Sequence, residues 1–165
     1  MVFGTAIRTS ALEAALVNGT ALHALDCDDF SSIMGGHHTV PLISPLIALA
    51  EEHAFSGAKV LLAYVVGVEV EIRLARALGF HHYDKGWHPT STLGTFGAAA
   101  SVAHLLDLAQ TTTALSIAAS MAAGIKSNFG TMVNPCTLGS APATGGLHNE
   151  ALTRIHLRLN TRRVF

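Results

Sequence analysis

The chain has 165 residues, the size of one ordinary domain, and half of them are hydrophobic while only 13% are charged. Such a chain can bury a core and is not expected to be disordered. Ten basic and eleven acidic residues give a net charge of −1, which offers no attraction to nucleic acid or to an anionic membrane. The longest apolar run, residues 60–68, is far shorter than the ~20 residues of a membrane-spanning helix. We therefore expect neither a nucleic-acid nor a membrane partner.

The two cysteines, Cys27 and Cys136, lack the CxxC spacing of a redox or metal motif. This indicates a reducing compartment and neither a disulfide framework nor an iron–sulfur cluster. The first residues do not show the basic and apolar regions of a secretory signal. We expect a protein of the cytoplasm or the mitochondrion, with no targeting signal visible in the chain.

Apolar residues recur every three or four positions along most of the chain, and alternating runs bounded by hairpin turns are scarce. The sequence therefore predicts an all-α fold. Ser56 and Gly79 suit the start and end of one helix, and Pro89 suits the first turn of another. The helix after Pro89 is rich in Gly and Ala, which predicts a tightly packed interior helix. The predicted helices cover residues 10–25, 42–54, 57–78, 90–107 and 110–126.

Three carboxylates, Asp26, Asp28 and Asp29, follow the first predicted helix. A solvated helix end is one interpretation, because like charges repel and the carboxyl end of a helix is already negative. Asp26 suggests another, because it continues the apolar stripe of Leu22 and Leu25. A carboxylate that faces a core needs a partner.

Histidine is unusually frequent, with ten copies that concentrate at residues 37–38, 81–82 and 88. His37 and His38 follow two glycines, and adjacent side chains point in different directions. No pair has the helical spacing of a metal site, so we expect no metal. His88 begins a helix, where backbone N–H groups favour an anion and an imidazole can transfer a proton. Polar surface and helix capping are the alternatives; with the aspartates, these histidines suggest a site for a small carboxylated molecule.

Four stretches occur in an order that resembles the N-terminal helical domain of the MmgE/PrpD family: EAALVNGTALHALDCDD, LLAYVVGVEVEIRLARAL, GWHPTSTLGTFGAAA and IAASMAAGIKSNFGTMV. The family includes 2-methylcitrate dehydratase, cis-aconitate decarboxylase and iminodisuccinate epimerase. The resemblance implies a bundle-like helical domain, with the family's smaller α+β lid absent here. It also implies a homodimer and a cofactor-independent enzyme that acts on small di- or tricarboxylic acids.

Carried over residue by residue, the resemblance makes Asp26, His38 and His88 the catalytic residues. Asp26 is the first aspartate of the family's LDxDD, His38 its loop histidine, and His88 the histidine of its HP motif. Phe30 replaces the family's hydroxyl residue one turn after Asp26, with Ser31 beside it. The implied mechanism is proton transfer next to a carboxylate, coupled to loss of water or of carbon dioxide, with neither a metal nor another cofactor.

The family's KPLHAG stretch, whose lysine would hold substrate carboxylates, reads NPCTLG from residue 134. Loss of one base converts AAG CCC CTG CAC GCT GGG into AAC CCC TGC ACG CTG GG, which encodes NPCTLG. We therefore predict a family domain over residues 1–133 and a divergent, frame-shifted tail over residues 134–165. The basic stretch RIHLRLNTRRVF belongs to that tail. We expect the chain to be a truncated and inactive fragment of a lyase.

Two other functions stay open at this stage. One is a non-catalytic helical module for dimerisation or binding, which metal content and size-exclusion behaviour would reveal. The other is a terpene-cyclase-like enzyme, suggested by the DxDD pattern of residues 26–29. A chain with 6% aromatic residues gives no sign of an aromatic-rich cavity, and an assay with a prenyl diphosphate and magnesium would decide.

Overall fold

The computed structural model describes residues 1–109 and 111–136, and these residues form helices joined by loops. Within these ranges there is no β-strand, only isolated bridges between Ser31 and Gly36 and between Trp87 and Ile125. The predicted all-α fold is confirmed. The tail from residue 137 lies outside the described residues. The helices are α1 (Ala11–His23), α2 (Thr39–His53), α3 (Gly57–Leu78), α4 (His81–Asp84), α5 (Pro89–Leu105), α6 (Thr111–Met121) and a 3₁₀ turn (Lys126–Asn128).

Local sequence signals explain where the helices begin and end. The hydroxyls of Ser10 and Ser56 cap α1 and α3, each accepting a hydrogen bond from a backbone N–H three residues on. Helix α3 therefore has its predicted bounds. Helix α2 begins before residue 42, its predicted start, because Pro41 lies in the first turn, where no N–H is needed. Helix α6 ends earlier than predicted, ahead of Gly124, whose φ of 142° no helix contains.

Helix α5 lies at the centre of the described fold and packs against α2, α3 and α6. Almost all of its residues are buried, as its small side chains predict. A Cβ atom on Gly97 would lie 2.5 Å from Cγ of Glu71 on α3, and one on Gly94 would lie 2.6 Å from Cγ of Pro41 on α2. The two glycines therefore allow three helices to pack at close range. The largest fully buried apolar side chains come from α2 and α5: Leu42, Leu46, Leu49 and Leu105.

Helix α3 presents apolar side chains on its outer surface. Leu61, Leu62 and Val65 are 63%, 55% and 48% exposed. Surfaces of this kind often mark contacts with another protein. They do not indicate a membrane span, since no helix in residues 1–109 and 111–136 is both long and apolar enough to cross a bilayer.

Hydrogen bonds bring the ends of α1 and α5 together. His37, in the loop that follows α1, donates its backbone N–H to Oγ1 of Thr90 in the first turn of α5, at 2.9 Å. The backbone N–H of His88 donates to the carbonyl of Gly124 at 3.0 Å. The carboxyl end of α1, the amino end of α5 and the segment after α6 therefore meet at one edge of the fold.

Candidate functional site

A pocket of about 370 Å³ opens where the ends of α1 and α5 meet the segment after α6. Its walls combine polar side chains with the ring of Phe129, and the lining contributed by residues 1–109 and 111–136 contains neither lysine nor arginine. Two of the predicted catalytic residues, Asp26 and His88, lie here. The polar side chains of the lining are His23, Asp26, His37, His88, Thr131 and Asn134.

Asp28 joins two of these imidazoles from behind the pocket. Its Oδ2 atom lies 2.9 Å from Nδ1 of His23 and 3.1 Å from Nδ1 of His37. The side chains of His23 and Asp28 are 2% and 10% exposed, so water competes little with their contact. The two rings meet edge to face, with centroids 4.9 Å apart. One buried carboxylate thus positions both histidines.

Asp26 lies on the opposite side of the same two rings. Its Oδ1 atom is 3.7 Å from Nε2 of His23 and 3.4 Å from Nε2 of His37. Its side chain is 75% exposed, and its φ of 53° is left-handed. The prediction that Asp26 continues the buried stripe of α1 is wrong, because the helix ends at His23 and Leu25 is itself exposed. The aspartate whose side chain is largely shielded from solvent is Asp28.

His88 is almost completely buried in the pocket wall, and its ring packs edge-on against Phe129 with centroids 4.6 Å apart. Burial lowers the pKa of His88 to about 4; the nearby imidazoles of His23 and His37 lower it further, and Asp26 opposes them. Near neutral pH, His88 is therefore uncharged. It can accept a hydrogen bond or a proton from a bound molecule.

His38 is not among the residues that line the pocket. It precedes the first turn of α2, and its Nε2 atom lies 2.7 Å from Oδ2 of Asp29. The adjacent histidines thus contact different carboxylates, as expected of neighbouring positions. The pocket contains His37, where the family resemblance places His38. A catalytic role for His38 stays a prediction.

Sequence reasoning missed His23 and did not choose His37. The available signal for His23 was its position at the end of α1, shortly before two aspartates. Asn134 occupies the position where the family resemblance expects a lysine, and its Nδ2 atom is 3.3 Å from Nε2 of His23. The departure from the family pattern therefore falls inside the pocket.

A larger pocket, of about 580 Å³, lies between α2 and α3. Its lining is mainly apolar, and Glu51 is the only charged side chain that the described part of the chain contributes to it. It offers no group of imidazoles or carboxylates for proton transfer. The smaller pocket is therefore the better candidate for a reaction site.

Comparison with known proteins identifies the family of the chain. Residues 1–148 match the family model described as the MmgE/PrpD N-terminal domain. The chain therefore belongs to the MmgE/PrpD family, which confirms the resemblance of its sequence motifs. The matched range extends beyond residue 133, where the sequence predicts the end of the domain.

Within this family, the chain is similar to cis-aconitate decarboxylases. It is 38% identical to the Homo sapiens enzyme over 161 residues, which cover 93% of the chain and 33% of that relative. The Mus musculus enzyme is 36% identical over 153 residues, with 89% of the chain and 31% of the relative covered. For the Aspergillus terreus enzyme the identity is 29% over 154 residues, with coverages of 87% and 31%. The chain thus spans about a third of the length of these relatives.

Proposed function

We propose that the chain forms the helical part of a lyase site for a small di- or tricarboxylic acid, with cis-aconitate as the first candidate. The observation that carries the proposal is the convergence of Asp26 with three imidazoles, those of His23, His37 and His88, on one pocket. Membership of the MmgE/PrpD family and similarity to relatives named cis-aconitate decarboxylase support it.

Imidazoles suit the proton transfers that such reactions need. In a decarboxylation, the bond to one carboxyl carbon breaks, carbon dioxide leaves, and the electron pair stays on the remaining carbon, which must then receive a proton. In a dehydration, a base removes a proton next to a carboxylate and a hydroxyl group leaves as water. Either route requires a positioned group that exchanges a proton near neutral pH.

We assign the two sides of this proton transfer to His88 and a second histidine, with Asp26 beside the second one. His88 is the uncharged proton acceptor, because its burial disfavours the imidazolium. The proton donor is His37, or His38 as the family resemblance implies. An imidazolium at His37 would lie 3.4 Å from Oδ1 of Asp26, whose charge stabilises it.

The charge of the pocket argues for low activity in this chain. Two or three substrate carboxylates need cations to hold them and to stabilise the charge that develops during the reaction. Among the described residues, no lysine or arginine lines the pocket, and Asn134 stands where the family resemblance expects a lysine. We therefore expect weak binding of the acid and little turnover.

The test is to mix the purified chain with cis-aconitate, and separately with 2-methylcitrate, and to record proton NMR spectra over time. We expect saturable shifts of the histidine resonances of the pocket and no appreciable loss of either acid. The exposed His81, on α4, supplies a matched control resonance that should not move. Rapid turnover would contradict the expected low activity, and unmoved pocket resonances at high acid concentration would contradict the acid site itself.

We propose further that Asn134 marks the position of a lost base and that the following residues are read out of the ancestral frame. The agreement between NPCTLG and a one-base deletion in codons for KPLHAG supports this. Verified sequencing of the gene tests it. The displaced frame should encode a family-like continuation, and its absence would contradict the frameshift.

We also propose that the chain forms a homodimer through the apolar surface of α3 defined by Leu61, Leu62 and Val65. Light scattering after size exclusion measures the mass directly. Leu62→Lys should shift the protein to the monomer, whereas Ile7→Lys, which changes another exposed apolar residue, should not. A monomeric wild type would contradict this assignment.

A further inference from the structure

We propose that the pocket is a binding site for a divalent first-row transition metal, held by Nε2 of His23, Nε2 of His37 and Oδ1 of Asp26. Donor atoms from these three residues and Asp28 all lie within 4.8 Å of one another. Two imidazoles with carboxylate oxygen form a mixed nitrogen and oxygen donor set, which suits ions such as Zn²⁺ or Co²⁺. The sequence alone led us to expect no metal, because the ligands are brought together by a loop and not by helical spacing.

The orientation of the rings points to this ion. His23 Nδ1 is hydrogen-bonded to both oxygens of Asp28, at 3.0 and 2.9 Å. A carboxylate accepts but does not donate, so this contact places the proton of a neutral His23 on Nδ1. The lone pair of Nε2 then faces Oδ1 of Asp26, which is also electron-rich. Without an ion, Nδ2 of Asn134 can donate to this lone pair at 3.3 Å. A cation between Nε2 and Oδ1 would instead contact both electron-rich atoms, which lie 3.7 Å apart.

His37 repeats this arrangement with looser geometry. Its Nδ1 atom is 3.1 Å from Oδ2 of Asp28, although it is not aligned for a hydrogen bond, and its Nε2 atom is 3.4 Å from Oδ1 of Asp26. Asp28 thus lies behind both rings, as the outer carboxylate does in many metal sites, where it orients the imidazole and increases its basicity. Asp26 lies in front of both.

The distances from Asp26 to the two imidazoles fit a single ion. Two donors bound at about 2.0–2.2 Å with a tetrahedral angle lie about 3.3–3.6 Å apart. The separations of Asp26 Oδ1 from the two Nε2 atoms are 3.7 and 3.4 Å, so small movements complete the geometry. The side chain of Asp26 is 75% exposed and free to make such a movement.

The pocket also leaves a coordination position for a further ligand. Asn134 lies beside His23, and its Oδ1 atom is buried without a hydrogen-bond partner in the described part of the chain. A metal-bound water or substrate oxygen would lie near this amide. If the proposed acid lyase function holds with the ion bound, Nε2 of His37 is occupied and His38 is left as the proton donor. The ion would then also provide positive charge for substrate carboxylates, since the described residues that line the pocket include no lysine or arginine. Metal binding itself does not depend on that function.

Protons offer the other way to neutralise the cluster, with both imidazoles charged and no metal bound. A titration of the full 165-residue chain with Co²⁺ at pH 7.5, without any acid present, separates the two cases. Ordinary imidazoles are neutral at this pH. We expect visible d–d absorption that saturates at one ion per chain, and displacement of Co²⁺ by Zn²⁺.

Two ligand variants and matched controls test the location. Asp26→Asn and His37→Gln should each weaken Co²⁺ binding at least about tenfold. Asp84→Asn and His81→Gln change exposed residues of α4 and should bind as the wild type does. His148→Gln with His156→Gln should also leave binding unchanged, which excludes the tail histidines. Because Asp26 is exposed, its variant should fold as the wild type does. Circular dichroism verifies the helical content of each protein.

Failure to bind Co²⁺ in a folded wild-type protein would overturn the proposal. So would wild-type affinity in both ligand variants. Because no acid is present, either result leaves the proposed lyase function to its own test. Conversely, metal binding without any response to cis-aconitate would contradict the lyase function and keep the metal site.

Discussion

Asp28, whose side chain is 10% exposed, and the fully buried Glu71 are both carboxylates removed from most of the solvent, and their surroundings are opposite. Asp28 has two imidazole nitrogens within 3.1 Å. Glu71, on α3, is 0% exposed, and neither of its oxygens has a hydrogen-bond partner among the described residues. Burial raises the pKa of Glu71 well above its usual value, and the negative charge of Asp29 adds to this. At Asp28, imidazoles that can carry positive charge lie beside the carboxylate, and together they form a polar site. At Glu71 no such group is in contact among the described residues, and burial therefore favours the neutral acid.

Removing the charge of Asp28 should have the largest effect on stability. Asp28→Asn leaves the buried ring of His23 without its carboxylate partner and should lower the free energy of unfolding by about 3 kcal/mol, since breaking a buried pair is costly. Urea denaturation followed by circular dichroism measures this. Asp26→Asn is the matched control, because Asp26 contacts the same two rings from an exposed position and should cost under about 1 kcal/mol. Equal losses in the two variants would show that burial does not distinguish the aspartates.

Replacing Glu71 by glutamine should change the stability in the opposite direction. A carboxyl group whose pKa is raised on folding contributes stability that is present below its unfolded pKa and is lost as the pH rises toward its folded pKa. Glu71→Gln should therefore stabilise the protein at pH 8, by about 1–3 kcal/mol, and have little effect near pH 4. Thermal melts at both pH values check this.

Glu69→Gln provides the control on the same helix. Glu69 is exposed and pairs with Arg73 at 3.0 Å, so its loss should change stability by less than about 0.5 kcal/mol at either pH. A Glu71→Gln protein that is less stable at pH 8 than the wild type would indicate a hydrogen-bonded carboxylate at Glu71 and would remove the contrast with Asp28.

The difference between these carboxylates also explains what the sequence could predict. Helix α3 was predicted with its observed bounds, because Ser56 and Gly79 act locally at its two ends. The interior position of α5 followed from its small residues. The burial of Glu71 could not be predicted from the sequence, because it depends on Gly97 of another helix, which has no side chain and so leaves room for the carboxyl group. Local signals predict elements, whereas contacts between elements decide which polar group is buried.

The candidate site was predictable only in part for the same reason. Asp26 and His88 were identified from motifs, and both line the pocket. The motif predicted His38, whereas the pocket contains His37, because adjacent loop residues differ mainly in the direction of their side chains. Their directions are set by the backbone hydrogen bond from His37 to Thr90, 53 positions away in the chain. No local pattern contains that information.

The two histidines beside Asp28 and Asp29 can be separated by their effect on acid binding. His37→Gln removes an imidazole of the pocket and should weaken binding of cis-aconitate by about tenfold, which corresponds to about 1.4 kcal/mol. His38→Gln, whose imidazole pairs with Asp29 outside the pocket lining, should change the affinity by less than about twofold. NMR titration of each variant measures the dissociation constant. The reverse order of effects would support His38 as the catalytic residue and would contradict the assignment to His37.

The smallest expected effect is on the pKa of His88. This residue is not paired with Asp28, but the charges of His23, His37 and Asp26 shift its pKa. Its pKa of about 4 predicts a C2 proton resonance that stays constant from pH 8 to pH 5.5. The stability that goes with this lowered pKa is present above pH ~6.5, the unfolded value, and is lost as the pH falls toward 4. Asp26→Asn removes a negative charge that raises the pKa of His88, so the titration of His88 should move to still lower pH. An upward movement would contradict a direct effect of the Asp26 charge on the pKa of His88.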